Sequence, residues 1–132
     1  MSGYVVSATE YKTIGILLKR EERLLNSFCI LDALDSTSET ARTLERIRHL
    51  IPLIESMAVH TLEVKGVRGK HVSIRLNETQ QQDLILVLQK EAHNIQIILQ
   101  RTAPEASGAN RKKQSAMEVL LKKIQNTSGA AL

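Results

Sequence analysis

The chain has 132 residues and 14.7 kDa, enough for one ordinary domain and too few for two. Its apolar share is 42%, yet it holds only two Tyr, one Phe and no Trp, so the core must be aliphatic and recognition by aromatic stacking is disfavoured. The net charge of +4 sits in two short segments, residues 59–76 and 103–132, each carrying +3 while the rest nearly balances.

Taken in chain order, four tetrads mark helix starts: Ser7-x-x-Glu10, Ser36-x-x-Glu39, Asn77-x-x-Gln80 and Ser115-x-x-Glu118. In such a box the first side chain accepts from an unpaired helical N–H, and the Glu or Gln three residues later reaches back. The spacing of Ile14, Leu17, Leu18, Leu24, Leu25, Phe28 and Leu31 predicts a helix over residues 8–34 with these residues on its apolar face. Gly15 inside it predicts a close packing partner at that turn, since Gly costs about 1 kcal/mol there relative to Ala.

A second helix is expected over residues 37–57, with a regular seam at Leu44, Ile47, Ile51, Ile54 and Ala58, and with Pro52 kinking it. The short connection makes the two helices an antiparallel hairpin. Over residues 60–76 the period changes to two. Leu62 and Val64, then Val72, Ile74 and Leu76, alternate with polar residues around Gly66-Val67-Arg68-Gly69, which predicts a β-hairpin with one apolar face.

A third helix follows Asn77 and runs to about Arg101, with Leu84, Leu88, Ala92, Ile95 and Leu99 on one face and apolar residues around most of its circumference. Residues 1–102 therefore read as a single domain. Pro104, Gly108 and the run Arg111-Lys112-Lys113 make residues 103–114 a polar linker; a short helix is expected over 115–126 and an unsupported tail over 127–132. The fold class is α+β, mainly α: a long antiparallel helical hairpin, one β-hairpin, a third long helix and a short C-terminal helix.

The chemistry is narrowed by exclusion. The single cysteine, Cys29, cannot form an internal disulfide and is expected as a buried thiol; no Cys pair or HExxH offers a metal site, and His49, His60, His71 and His93 show no ligand spacing. There is no Gly-x-Ser-x-Gly elbow and no GxGxxG. No enzyme, no cofactor and no metal is expected. Residues 1–10 lack the pattern of a signal peptide and no stretch is long and apolar enough to span a membrane, so a reducing, cytoplasmic setting is expected.

Gly66 to Lys70 matches neither a P-loop, which needs GxxxxGK before a helix, nor the GXXG of KH domains, which joins two helices. What remains is a basic hairpin, with Lys65, Arg68, Lys70, Ser73 and Arg75 as candidate contacts to an anion or nucleic acid. The segment His71-Val-Ser-Ile-Arg-Leu-Asn-Glu-Thr-Gln80 resembles the strand-to-helix entry of ribbon-helix-helix DNA-binding proteins, a likeness extending over about 22 residues to Ala92. That resemblance implies strands of two subunits paired in the major groove, with Ser73 and Arg75 as base readers.

The expected function is a small, non-enzymatic, oligomeric binding or adaptor protein whose basic hairpin engages an anionic partner, nucleic acid or a phosphate-bearing ligand. A DNA-binding regulator of ribbon-helix-helix type and a purely structural assembly subunit are the alternatives. Homo-oligomerisation is expected through the seam of Leu44, Ile47, Ile51, Ile54, Leu84, Leu88, Ile95 and Leu99, because the third helix is apolar on too much of its surface, and the seam of the second too regular, for one small domain to cover.

Overall fold

The computed structural model describes the backbone of residues 2–31, 38–57, 59–64 and 67–130, and the side chains of 4–31, 38–57 and 69–125. Its elements are β1 (Ser2–Ser7), α1 (Ala8–Leu31), α2 (Glu39–Glu55), β2 (Val59–Val64), β3 (Val67–Leu76), α3 (Glu78–Arg101), a 3-10 turn (Pro104–Ala106) and α4 (Gly108–Ala130). The class is α+β, mainly α, as the sequence predicts. The sheet has three antiparallel strands in the order β1-β3-β2.

The additional strand, β1, has a simple physical basis. Tyr4 and Val6 alternate with Val5, and the register sets them opposite Ile74 and Val72. All four are buried, whereas Val5 is exposed. Burying a side chain such as Val6 contributes about 1.5–3 kcal/mol. The strand ends at Ser7, whose Oγ accepts from the Glu10 amide at 3.1 Å while Glu10 Oε1 accepts from the Ser7 amide at 2.9 Å. The first capping box thus turns strand into helix without a loop.

Ile14, Leu17, Leu18 and Leu25 of α1 enter the core, but Leu24, Phe28 and Leu31 stay exposed, so only part of the expected apolar face is used. Nothing lies within 4 Å of a Cβ placed on Gly15, and the close partner expected there is not present. Cys29 is half-buried at the edge of the core and is free.

Ser38 caps α2, its Oγ accepting from the Ala41 amide at 3.1 Å; Ser36, the expected cap, lies outside the described residues. The helix continues through Pro52. Lys19 pairs with Glu55 at 2.9 Å and Arg48 donates to Asn26 Oδ1 at 3.0 Å, so α1 and α2 run antiparallel, as expected. The Tyr11 hydroxyl adds a 2.7 Å bond to the Ile54 carbonyl.

In the hairpin, β2 ends at Val64 and β3 begins at Val67, so Val67 to Gly69 belong to the strand and not to the turn. Leu62 is in register with Gly69 and Val64 with Val67. The side chains of Leu62 and Val64, on which the expected apolar face of the hairpin depends, lie outside the described residues, whereas those of Val72, Ile74 and Leu76 are buried.

Asn77 Oδ1 accepts from the Gln80 amide at 2.9 Å and Gln80 Oε1 from the Asn77 amide at 3.1 Å, completing the box that starts α3. Apolar around most of its girth, α3 packs on α1, α2, α4 and β3. Two ion pairs also join it to α1, Lys90 to Glu21 at 2.7 Å and Arg20 to Glu91.

The expected linker over 103–114 and the short helix over 115–126 are corrected. The 3-10 turn reverses the chain, and α4 starts at Gly108, so Ser115 is interior to a helix that extends to Ala130 through most of the expected tail. The hydroxyl of buried Ser107 donates to the Pro104 carbonyl at 2.9 Å, and the Ser107 backbone carbonyl accepts from the Arg111 amide at 2.9 Å, the first helical bond of α4. Met117, Leu120 and Ile124 bury one face of α4. Gln81 Nε2 donates to the Ile124 carbonyl at 3.2 Å, so α4 runs back along α3.

The core fills the space between the inner face of the sheet and the four helices. Of the expected oligomer seam, Leu44, Ile47, Ile54, Leu84, Leu88 and Ile95 are buried inside the one chain, and Ile51 and Leu99 are half-buried. The α2 and α3 seams pack within the chain. Their six buried residues offer no surface to a second copy.

Candidate anion-binding cleft

Of the five predicted contact residues, the side chains of Lys70, Ser73 and Arg75 are described, and these do not form one cluster. Lys65 lies outside the described residues, and of Arg68 the structure gives only its strand position, in register with Glu63. Lys70 and Arg75 are both exposed. Five residues apart on β3, they belong to opposite sides of the strand by alternation. Ser73 and Arg75 do meet, with Val5, at a small depression of about 210 Å³ on the outer side of the sheet. The resemblance to ribbon-helix-helix proteins requires strand 71–76 to pair with its own copy. Here β1 pairs with all of residues 71–76 and β2 takes the other edge at 71–72. Residues 71–72 are thus paired on both sides and residues 73–76 on the β1 side.

A better-formed concentration of polar groups lies elsewhere. Arg42, Arg46 and His49 recur at i, i+4 and i+7 on α2, which places them on one stripe of the helix. This stripe faces the first turn of α3 across an open cleft of about 470 Å³, lined also by Glu45, Leu50, Asn77, Thr79, Gln80 and Asp83. The core-facing stripe of α2, with Leu44, Ile47 and Ile54, holds the helix in that orientation.

Arg46 is fixed on two sides. Its Nε donates to Asp83 Oδ2 at 3.1 Å and Oδ1 at 3.4 Å, and its Nη2 donates to Thr43 Oγ1 at 3.2 Å. The Asp83 side chain is only 9% exposed and that of Arg46 39%, so the carboxylate forms the floor and the guanidinium reaches towards solvent. Among the described residues Nη1 makes no hydrogen bond. Arg42 and His49 are exposed and make no ion pair among the described residues.

The wall opposite is the start of α3. Its capping box consumes the Gln80 amide, but the amides of Glu78 and Thr79 are first-turn donors with no helical carbonyl to receive them. The helix dipole adds a partial positive charge at that end. Formal charges of Arg42 and Arg46 are balanced by those of Glu45 and Asp83. The cleft is therefore a mixed field of directed donors and acceptors, and not a simple positive patch.

Two shifted groups lie outside the cleft. Burial pushes the Tyr4 phenol well above its usual range. For Glu10, burial acts upward, but hydrogen bonds from Lys123 and Ser7 outweigh it and hold the carboxyl below its ordinary value. Among the described residues no group of three or more His, Cys, Asp or Glu is placed to hold a metal ion, and no helix is long and apolar enough to cross a membrane.

Comparison with protein-family models, with curated proteins and with solved structures finds no match to this chain. The cleft therefore rests on its own geometry. Sequence reasoning missed it, although the spacing Arg42-x-x-x-Arg46-x-x-His49 was a readable signal. What it lacked was the long-range fact that this stripe meets residues 77–83.

Proposed function

We propose that the protein is a small non-enzymatic binding or adaptor protein that engages an anionic, phosphate-bearing partner. One observation carries the reading: a stripe of Arg42, Arg46 and His49, with Arg46 held by Asp83, faces the unsatisfied first-turn amides of α3 across an open cleft. The contact surface thus moves from the hairpin to the cleft, with Lys70 and Arg75 as separate outlying charges. The lone free cysteine supports a reducing, cytoplasmic setting.

Titration of inorganic phosphate, pyrophosphate and heparin, followed by amide shifts at two salt concentrations, tests the reading. Binding is expected to weaken with salt and to perturb residues 42–49 and 77–83. Arg42→Ala is expected to reduce affinity about tenfold, the scale of one charge-assisted hydrogen bond. The Lys70→Ala/Arg75→Ala double variant should change it much less. The reverse order would return the site to the hairpin, and no binding at low salt would remove the reading.

A second reading, an assembly subunit, is favoured by the exposure of Leu24, Phe28, Ile30 and Leu31 along the outer end of α1. Its test is the oligomeric state.

A further inference from the structure

We infer that the free edge of β1 binds an extended acidic peptide of a partner protein, which joins the sheet as a fourth strand and sets a carboxylate against Arg75. This goes beyond the cleft and does not depend on it.

The backbone carries the first half of the argument. Strand β1 pairs with β3 along one side, and among the described residues nothing pairs with its other side. The Ser7 amide, at the end of the strand, is accepted by Glu10 Oε1 at 2.9 Å, so it points away from β3. The amide and carbonyl of one residue point to the same side of a strand, and those of the next residue point to the other. Gly3 and Val5 therefore turn their amides and carbonyls to the open edge, two donors and two acceptors without a strand partner. Exposed edges are ordinarily guarded by charges, proline or a bulge. Ser2–Ser7 holds no charged residue and no proline, and its register with β3 runs unbroken. An incoming strand can pair there through main-chain bonds.

Side chains select the partner. Residues placed opposite Gly3 and Val5 share their face of the sheet, the outer one, where Val5 is exposed. Gly3 stands in register with Arg75 and has no side chain, so it leaves the way open from Arg75 to the edge. Strands lie about 4.8 Å apart, and an arginine and a glutamate together span two such intervals. Arg75 is exposed and makes no ion pair among the described residues. It lines, with Val5 and Ser73, the depression of about 210 Å³ beside that path. A carboxylate opposite Gly3 meets the Arg75 guanidinium there, with the Ser73 hydroxyl as a further donor. A β-branched residue opposite Val5 covers that side chain. The β1 strand of a second copy offers the same backbone but no acid, and leaves Arg75 unanswered.

The experiment uses the whole chain at low micromolar concentration and a capped heptapeptide of threonines, with valine third and glutamate fifth. Amide shifts and exchange rates are read. The peptide is expected to slow exchange at Gly3 and Val5 at least tenfold and to leave Tyr4 and Val6 unchanged, since their amides already face β3. Lysine in place of the glutamate should weaken binding at least tenfold, and N-methylation of the peptide valine should abolish it. Arg75→Gln is expected to bring the glutamate and lysine peptides to the same affinity with an unchanged thermal midpoint. Unaltered exchange at Gly3 and Val5, or equal affinity of the native chain for the two peptides, overturns the proposal. Protection of these two amides in the free chain that deepens with protein concentration assigns the edge to a second copy and also overturns it. Phosphate binding at residues 42–49 and 77–83 stands or falls separately.

Discussion

Gly15 sits in the second turn of a 24-residue helix, and a Cβ built there meets nothing within 4 Å. Its backbone is helical, so replacement introduces no strain, and Ala removes conformational freedom from the unfolded chain. Gly15→Ala is expected to stabilise the protein by about 0.5–1 kcal/mol, raising the thermal midpoint by about 2–5 °C. Differential scanning calorimetry reads this directly. A lower midpoint would mean that a neighbour does press on this turn. A lone Gly in a helical pattern has two readings, close approach or tolerated cost, and only the tertiary surroundings separate them. Arg46 and Asp83 teach a similar point. Thirty-seven residues apart, they have no local relation, yet their pairing builds the floor of the cleft.

At the scale of elements, local capping signals were legible where the tetrad also lay at a change of hydrophobic period. Ser7 and Asn77 meet that condition, each standing between a strand and a helix. Ser115-x-x-Glu118 has the same letters but lies inside α4, because Arg, Lys and Gln continue a helix readily on an exposed face. β1 was illegible for another reason. Its six residues have no partner until β3 arrives some seventy positions later. Helix α4 is tied to this first junction by Lys123, which donates to Glu10 Oε1 at 2.8 Å, the same oxygen that caps α1. Because the folded-state value of Glu10 is depressed, its contribution is present above the ordinary carboxylate value near 4.5 and is lost as pH falls through the lower folded value. Stability should therefore drop between pH 5 and pH 3 more steeply in the native chain than in Glu10→Gln. Urea unfolding at pH 7, 5, 4 and 3 gives the comparison, and parallel curves would show that this junction does not contribute.

For the whole molecule, the helical hairpin, the β-hairpin and the third helix were readable because each is a long local period. Their faces were not, because a period shows that a stripe will be covered without showing by what. Of the seam expected to face a partner subunit, Leu44, Ile47, Ile54, Leu84, Leu88 and Ile95 are covered within the chain, with α1 along α2 and α4 along α3, while Ile51 and Leu99 are half-buried. Self-association must then use a different surface. Leu24, Phe28 and Leu31 follow one another at i, i+4 and i+7 on the outer end of α1, with Phe28 45% and Leu31 79% exposed. Such a stripe is smaller than the patch of an obligate dimer, which buries about 2,000 Å² or more in total. The expected behaviour is a weak, concentration-dependent dimer: mostly 14.7 kDa monomer at low micromolar concentration and dimer towards the hundred-micromolar range. Phe28→Glu with Leu31→Glu is expected to abolish it and leave the thermal midpoint nearly unchanged, since neither residue is in the core. Ile47→Glu should instead unfold the chain, because that side chain is 1% exposed and a charge there has no partner. Sedimentation equilibrium across that range decides: a monomer at every concentration would remove both the dimer and the assembly-subunit reading, and a dimer that survives both glutamates would place the contact elsewhere.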